Sequence, residues 1–278
     1  MKLSSYLTIL FFPLMFILSS CNEVPMDSQN NSLKLSEKEI NSSVKAVAKM
    51  RIFFGHQSVG KNILDGINDI SEGANNKINI VESRIADDSS EPAFQHAGVG
   101  KNTDPLSKIV DFREIVKNGI GGKVDVAFFK FCYVDFDQTT DIQSTFKKYQ
   151  ETMKSLKENY PQTTFVHFTV PLVEARLDMK GYIKKIIGKY NTKREGNIKR
   201  NQFNTMLKAE YKGKEPIFDL AGIESTYPDG KNETFGKDGG TYYALAPVYT
   251  NDGGHLNKTG RKVVAERLLY FLASLKKT

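Results

Sequence analysis

The sequence is poor in cysteine and has no apolar run long enough to cross a membrane as a helix. Its apolar stretch near the N-terminus, Leu7 to Leu18, is shorter than the roughly 20 residues that a span needs. The only cysteines are Cys21 and Cys132, so stability must come from a buried core rather than from a disulfide framework. No internal repeat and no shift in composition divides the chain after Glu39, which predicts one sizeable domain.

The N-terminus resembles a bacterial lipoprotein signal. Lys2 precedes the apolar stretch, and Ser19-Ser20-Cys21 follows it, an order in which the cysteine is lipidated and becomes the mature N-terminus. A transmembrane anchor is the alternative, and the shortness of the apolar stretch disfavours it. We therefore predict a signal peptide at residues 1–20 and a lipid on Cys21 that attaches the protein to a membrane.

The residues after Cys21 predict a tether between the lipid anchor and the folded domain. The segment 21–38 is polar and rich in serine and asparagine, and it has too few large apolar side chains to form a core. We predict that it is a flexible tether and that the folded domain occupies 39–278. The protein would then lie in the bacterial cell envelope, outside the cytoplasm, with Cys132 left without a partner for an intrachain disulfide.

The formal net charge is +7, and basic residues are concentrated between Arg176 and Arg200. This stretch contains nine lysines and arginines against only Asp178 and Glu195. A basic patch can attract nucleic acid, anionic lipid or an acidic wall polymer, but a solvated insertion has the same composition. We predict a solvated insertion and no nucleic-acid partner, because the stretch has no recognisable nucleic-acid-binding module.

Hydrophobic periodicity predicts strands that alternate with helices. Residues 51–55 form a short apolar run, and apolar residues recur at helical spacing from Val59 to Ile70. Further strands are predicted at 77–81, 126–131, 163–170 and 216–220, and further helices at 104–117, 142–156, 201–211 and 258–275. This alternation is typical of an α/β domain with a mostly parallel five-stranded sheet covered by helices on both faces. The stretch 226–251, rich in glycine and proline, is predicted to be a loop.

Residues with useful chemistry follow the predicted strands. They are Ser58 after the first strand, Gly98 and Gly100 after the second, Cys132 to Asp135 after the third, and His255 after the fifth. Loops at the carboxyl ends of parallel strands form the active-site crevice, so we expect these residues to share one edge. A serine hydroxyl is a poor nucleophile at neutral pH and needs an imidazole that a carboxylate holds in one tautomer. Asp252 is close enough to His255 to be that carboxylate.

The order and spacing of these motifs, from residue 51 to the end, resemble those of the SGNH or GDSL-type hydrolases, which share a three-layer α/β/α fold. The resemblance implies that Ser58, in Gly-His-Gln-Ser-Val-Gly, is the nucleophile. It also implies that His255 in Asp-x-x-His is the general base, that Asp252 is its partner, and that no cofactor is needed. The first motif departs from the family, because His56-Gln57 replaces the usual aspartate before the serine.

The motifs that would bind the oxyanion agree less closely with the family. The glycine of the second block corresponds to Gly98 as first choice and Gly100 as second, and Val134 stands where the third block usually has asparagine. Losing one oxyanion donor typically costs on the order of 10²- to 10³-fold in turnover, so a weakened site is expected to work. Asn102 is a candidate substitute, and the amide of Ser58 at a helix N-terminus is a further donor.

Each candidate also has a purely structural explanation. Ser58 suits a helix N-cap, Asp252 with two following glycines suits a turn, and His255 would then only pack beside the last helix. Cys132 could act as a nucleophile with His255, but a cysteine at the end of a buried strand is more often a small apolar residue. We take Cys132 as structural.

The remaining histidines do not predict a metal site. Imidazole and carboxylate ligands suit zinc, and the four residues considered for such a site are His56, His96, Asp252 and His255. No local histidine pairing supports the site, so we predict that no metal is bound. His167 lies within the fourth predicted strand and is expected to be a satisfied sheet residue.

The sequence therefore predicts a membrane-tethered serine esterase, with an O-acetylated glycan as a candidate substrate. Tyr242 and Tyr243, in the glycine-rich loop, would then be candidates for lining a substrate cleft. The alternative is a non-catalytic envelope lipoprotein that keeps the fold and binds a glycan or an anionic polymer. Val134, in place of the expected asparagine, favours that alternative.

Overall fold

The computed structural model describes residues 34–74, 76–86, 91–175 and 191–275. These residues all belong to one compact unit, Ser32–Thr278. The predicted signal peptide, Cys21 and the tether up to residue 33 lie outside the described residues, as do residues 176–190 of the basic stretch. Among the helices within the described ranges, none combines the length and the apolar composition of a membrane span.

A six-stranded parallel sheet forms the centre of this unit. Its strands are β1 Arg51–His56, β2 Ile80–Glu82, β3 Ala93–Gly98, β4 Val126–Phe129, β5 Thr164–Phe168 and β6 Ile217–Phe218. They lie in the order β2-β3-β1-β4-β5-β6, and the neighbouring strands pair in parallel. In the central strand β1, Gly55 pairs with Ala97 on one side and with Phe129 on the other. The carboxyl ends of β3, β1 and β4 therefore meet at the point where a crevice is expected in such a sheet.

The sheet has six strands rather than the five predicted, and the additional strand is β3. Its sequence places Gln95 and His96 between Phe94 and Ala97, so it lacks the continuous apolar run that marks a buried strand. Gln95 is nevertheless buried, because its side-chain amide donates to the carbonyl oxygen of Ile85. A polar side chain that is satisfied in this way leaves no apolar signal in the sequence.

Seven helices cover the sheet. They are α1 Glu37–Val47, α2 Ser58–Gly73, α3 Pro105–Ile115, α4 Ile142–Asn159, α5 Asn191–Tyr211, α6 Leu220–Ser225 and α7 Lys258–Ser274 within the described residues. Apolar residues of α1, α2, α6 and α7 pack on one face of the sheet, and those of α3, α4 and α5 pack on the other. The predicted three-layer α/β/α architecture is confirmed.

The first face brings together the two ends of the domain. Helix α1 begins at Glu37, within the last residues of the predicted tether, and Ser36 and Glu39 form a capping box at its start. Helices α2 and α7 touch closely at Gly66, where a Cβ atom would lie 2.5 Å from the carbonyl oxygen of Arg261. Only glycine allows this approach, so the helix that begins at Ser58 packs directly on the last helix.

On the second face, α5 begins at Asn191 rather than at residue 201. Its first half carries buried polar residues instead of an apolar stripe, including Asn197 and Arg200. The Arg200 guanidinium donates to the backbone carbonyl oxygens of Tyr133 and Phe136. These contacts explain why apolar periodicity predicted only the second half of the helix.

The stretch predicted to be a loop contains a hairpin. Its strands are β7 Thr234–Lys237 and β8 Gly240–Tyr243, which pair in antiparallel fashion. The Tyr242 ring lies 5.7 Å from that of Phe235 between centroids, and the amide of Tyr243 donates to the Asn201 side chain at 3.0 Å. The two tyrosines considered for a substrate cleft are thus half-buried residues that hold the hairpin together and attach it to α5.

Candidate active site

The Asp252 and His255 side chains meet in the loop before α7. His255 Nδ1 lies 2.7 Å from Asp252 Oδ2, and Asp252 Oδ1 accepts from the amides of Gly254 and His255 at 2.9 and 2.8 Å. Burial alone would raise the pKa of Asp252, but the hydrogen bonds from His255 and Gly254 together hold that pKa well below its usual value. The carboxylate is therefore ionised and keeps the proton of the imidazole on Nδ1, which leaves the lone pair on Nε2.

Tyr133, directly before Val134, packs against this imidazole. The rings of Tyr133 and His255 meet edge to face with their centroids 5.6 Å apart. A Cβ atom on Gly254 would lie 2.7 Å from Tyr133 Cζ, so glycine is required where the loop passes over the ring. Sequence patterns did not indicate this contact, because it joins two loops that are far apart in the chain.

Ser58 is the first residue of α2 and not its N-cap. The N-cap is Gln57, whose side chain does not cap the helix and instead donates to the carbonyl oxygens of Val99 and Gly100, both at 3.1 Å. Ser58 is exposed, and within the described residues its hydroxyl and its amide have no hydrogen-bond partner. The structural explanation of Ser58 as a cap therefore does not apply.

Helix α2 brings Ser58 to the neighbourhood of the His255 loop. Asn62, one helical turn after Ser58, accepts from the amide of Leu256 through Oδ1 at 3.3 Å. Residues one turn apart lie on the same face of a helix, so Ser58 is expected to lie on the side of α2 that contacts the His255 loop. Among the described residues, no hydrogen bond joins Ser58 Oγ to His255; the structure brings together Asp252 and His255 of the predicted triad and does not bond Ser58 to them.

The two candidate glycines of the second block differ in what their amides do. Gly98 is exposed, its carbonyl accepts from Arg84 at 2.8 Å, and a Cβ there would lie 3.7 Å from Gln57 Nε2. The amide of Gly100 instead donates to Asp111 Oδ2 at 2.8 Å. That amide is committed to a carboxylate, so Gly98 is the better candidate for binding an oxyanion.

The third block forms a short turn at the end of β4 that exposes one side chain and buries the next. The side chain of Val134 is exposed, whereas Asp135 points inward and is paired with the fully buried Lys108 at 2.7 Å. Asp135 also accepts from the amide of Thr103 at 3.0 Å, and Lys108 donates to Asn102 Oδ1 at 3.1 Å. Asn102, the proposed substitute, is therefore fastened to the same turn in which Val134 replaces the asparagine.

Cys132 is a free, fully buried thiol. Its sulfur lies 3.7 Å from Nζ of Lys130, which is also fully buried and donates to the carbonyl oxygen of Phe131. Burial lowers the pKa of Lys130. A thiol without access to solvent is not placed to attack a substrate, which fits the prediction that Cys132 is structural.

His56 and His96 form a pair at the ends of β1 and β3. His56 Nε2 lies 3.1 Å from His96 Nδ1, and His56 Nδ1 lies 3.0 Å from the carbonyl oxygen of Gln57. Burial lowers the pKa of His56 to about 4 and also lowers that of His96, so both rings are neutral near pH 7. Over the ranges that the structure describes, no three His, Cys, Asp or Glu side chains cluster as metal ligands do.

His167 lies in β5, two strands away from His56 in β1. Both of its ring nitrogens are hydrogen-bonded. Nδ1 lies 2.7 Å from the Tyr149 hydroxyl and Nε2 3.0 Å from Glu215 Oε2, while the ring stacks on Tyr211. Burial lowers the pKa of His167, so the neutral ring donates from Nε2 to the carboxylate and accepts the Tyr149 proton at Nδ1. This arrangement matches the predicted satisfied sheet residue.

No protein-family model and no curated protein matches the chain. Among solved structures, a GDSL-like lipase of Bacteroides thetaiotaomicron is similar with a TM-score of 0.51 and 15% identity, over 82% of this chain and 90% of that one. A lipase/acylhydrolase of Enterococcus faecalis matches with a TM-score of 0.47 and 12% identity, over 82% of this chain and 99% of that one. The first similarity shows that this chain shares the fold of that GDSL-like lipase, as the order of its sequence blocks led us to expect.

Proposed function

We propose that this chain is a membrane-tethered serine esterase that transfers an acyl group from an ester to water. The observation that carries the proposal is the pairing of His255 Nδ1 with Asp252 at 2.7 Å. The imidazole ring remains partly exposed, and its loop is fastened to the helix that begins with the exposed Ser58. Acyl transfer requires that this oriented base reach the serine hydroxyl, and no other described group holds the hydroxyl of Ser58.

In the proposed reaction Ser58 Oγ attacks the ester carbonyl carbon and His255 Nε2 takes the hydroxyl proton. The tetrahedral intermediate collapses as the bond to the alcohol oxygen breaks, and the alcohol leaves with the proton from His255. Water then attacks the acylated Ser58, again with His255 as base, and the carboxylic acid and the free serine are released. Asp252 stays ionised and stabilises the imidazolium at each stage.

The oxyanion of the intermediate would be bound by the amides of Ser58 and Gly98, with the side chain of Asn102 as a third donor. The amide of Ser58 has no hydrogen-bond partner within the described residues, and Gly98 lies at the carboxyl end of β3. The amide of Ser58 also lies at the N-terminus of α2, where the helix dipole favours negative charge. Donors fixed before the reaction cost little reorganisation when the negative charge develops.

The proposed substrate is an ester of a polar alcohol, such as an O-acetylated glycan. A cavity of about 270 Å³ lies between the loop at Thr103 and the turn at Val134. Its lining includes the hydroxyl groups of Thr139 and Thr140 and the carboxylate of Asp137, groups that can hydrogen-bond to sugar hydroxyls. Attachment through a lipid on Cys21 would hold the enzyme at the cell envelope, where acylated glycans occur on the surface.

The proposal is tested with the full-length protein in detergent. Hydrolysis of a short-chain chromogenic ester and covalent labelling by a fluorophosphonate are compared for the wild type, for Ser58→Ala and for the control Ser42→Ala on the exposed side of α1. We expect loss of both signals only in Ser58→Ala. Equal signals in all three proteins would show that Ser58 is not the nucleophile. No signal in any of them over a broad ester panel would favour the non-catalytic binding protein, for which Val134 is the supporting observation.

The anchor is tested separately by metabolic labelling with palmitate in a bacterial host. We expect the wild type to be labelled and to sediment with membranes, and Cys21→Ser to be neither labelled nor sedimented. Label that persists in Cys21→Ser would contradict the lipid attachment without bearing on the chemistry of Ser58.

A further inference from the structure

Lys108 is a lysine in an unusual place. Its side chain is completely buried, and it forms an ion pair with Asp135 in which both side chains are 0% exposed. Nζ donates to Asp135 Oδ2 at 2.7 Å and to Asn102 Oδ1 at 3.1 Å. The lysine thus joins the loop that carries Asn102 to the turn in which Val134 stands in place of an asparagine.

Local structure gives no reason for a cation at this position. Lys108 lies in the first turns of α3, after the N-cap Asp104, and positive charge near a helix N-terminus is opposed by the helix dipole. Burying an ion pair also removes two charges from water, a cost that the attraction between them often only balances. The contacts that Lys108 makes with other parts of the chain must therefore account for its presence.

One of those contacts fixes the orientation of the Asn102 carboxamide. A lysine amino group only donates, so the atom of Asn102 that faces Lys108 is the oxygen Oδ1. The amide nitrogen Nδ2 then points away from the buried lysine, and Asn102 is exposed. Asn102 consequently presents two hydrogen-bond donors towards solvent at the edge of the sheet.

The loop around Asn102 is held rigid on both sides. The amide of Thr103 donates to Asp135 Oδ1 at 3.0 Å and that of Lys101 to Ser107 Oγ at 2.8 Å. On the other side, the Gln57 side chain donates to the carbonyl oxygen of Gly100 at 3.1 Å. Gln57 directly precedes Ser58, so the rigid loop and the proposed nucleophile are attached to each other.

We propose that Lys108 is a positioning residue that holds the Asn102 carboxamide with Nδ2 directed at the oxyanion, so that Asn102 replaces the asparagine missing at Val134. The inference rests on the proposed esterase function. In this arrangement the aspartate of the third block, Asp135, anchors Lys108 instead of neighbouring an oxyanion donor. Compared with the family pattern, the oxyanion donor, Asn102, lies next to the second block instead of in the third. The buried salt bridge between Lys108 and Asp135 connects these two segments.

The test is steady-state hydrolysis of 4-nitrophenyl acetate by the full-length protein, with kcat and KM measured separately. We expect Asn102→Ala to lower kcat by about 10²-fold with KM nearly unchanged, as for the loss of one oxyanion donor. Asn102→Asp keeps an acceptor for Lys108 but loses the donor, so it should lose the same activity without loss of Tm. Lys108→Met should lower kcat to a similar extent.

The double variant separates positioning from general stability. If Lys108 acts through Asn102, then Asn102→Ala combined with Lys108→Met has the same kcat as Asn102→Ala alone. Lys208→Met, which breaks the ion pair with Asp219 at 2.6 Å, is the control and should change Tm but not kcat.

Two outcomes would overturn the inference while the esterase function stands. One is wild-type kcat in both Asn102→Ala and Asn102→Asp. The other is a double variant whose loss is the product of the two single losses, which would mean that Lys108 affects turnover independently of Asn102. A wild-type protein that neither hydrolyses esters nor reacts with the fluorophosphonate would overturn both proposals, and it is recognised before any variant is compared.

Discussion

Two imidazole–carboxylate pairs in this domain share the same chemistry and differ in their surroundings. In the His167–Glu215 pair both ring nitrogens are hydrogen-bonded and the ring is fully buried. In the His255–Asp252 pair Nδ1 is bonded, and Nε2 has no hydrogen-bond partner among the described residues. The side chain of His255 is 40% exposed. The comparison teaches that an oriented imidazole with one uncommitted nitrogen can exchange protons with a substrate, whereas one with both nitrogens committed serves the fold.

The strongest test of whether the His255–Asp252 pair is the reactive one is to remove the exposed imidazole. We expect His255→Ala to lower kcat/KM for a short-chain ester by at least ~10⁴-fold, because the serine loses its base. The free energy of unfolding should fall by no more than about 1 kcal/mol, because the His255–Asp252 pair is largely exposed. Ester hydrolysis at the wild-type rate in His255→Ala would show that the exposed pair is not the reactive one.

A smaller effect is expected from disturbing the position of His255 without removing it. Gly254→Ala would place a Cβ atom 2.7 Å from Tyr133 Cζ, so the loop or the ring must move. A displacement of about 1 Å can cost ~10²-fold in rate, and we expect a fall of that order in kcat. Gly236→Ala in the hairpin, where a Cβ meets only one atom at 3.9 Å, is the control and should keep the wild-type kcat.

The buried pair should give the opposite result. Tyr149→Phe removes the hydroxyl bonded to His167 Nδ1 and leaves a buried nitrogen without its partner. We expect the free energy of unfolding to fall by about 1–3 kcal/mol, measured by urea denaturation, with ester hydrolysis unchanged. Tyr270→Phe, at an exposed position, should alter neither quantity; a Tyr149→Phe protein that loses activity but not stability would reverse the roles assigned to the two pairs.

The smallest expected effect is on the free energy of unfolding at low pH. The hydrogen bond from His167, and with it that from Lys157, lowers the pKa of Glu215 from 4.5 to about 2. The unfolded chain therefore takes up this proton first as the pH falls, so the stabilisation is complete above about pH 4.5 and is lost towards pH 2. We expect Glu215→Gln to flatten this part of the stability–pH curve in urea denaturation. A curve of unchanged slope would mean that Glu215 is not shifted.

The features that sequence predicted are those set by local patterns. The strand that ends at His56 and the helix that begins at Ser58 follow from an abrupt change of hydrophobic period. The α4 stripe of Ile142, Phe146, Tyr149, Met153 and Leu156 is buried as its spacing predicts. Asp252 and His255 are only three residues apart, so a single turn brings them together and a short motif was enough to find them.

The features that sequence did not predict depend on contacts between distant segments. Strand β3 was missed because Gln95 is satisfied by a loop carbonyl, which no periodicity records. Lys108 and Asp135 are 27 residues apart, and a lysine is expected at the surface unless its partner is known. The same applies to Asn62, whose contact with Leu256 spans 194 residues and connects the helix that begins at Ser58 to the loop that carries His255.

The glycine at position 66 keeps in direct contact the helix that begins at Ser58 and the helix that follows His255. At that point the backbone of α2 lies directly against the carbonyl oxygen of Arg261 in α7, so we expect the two helices to move together. Gly66, although remote from the proposed site, would thereby influence the distance between Ser58 and His255. Replacing Gly66 by a larger residue would push α2 and α7 apart. Turnover is then expected to fall although every proposed reactive side chain is unchanged.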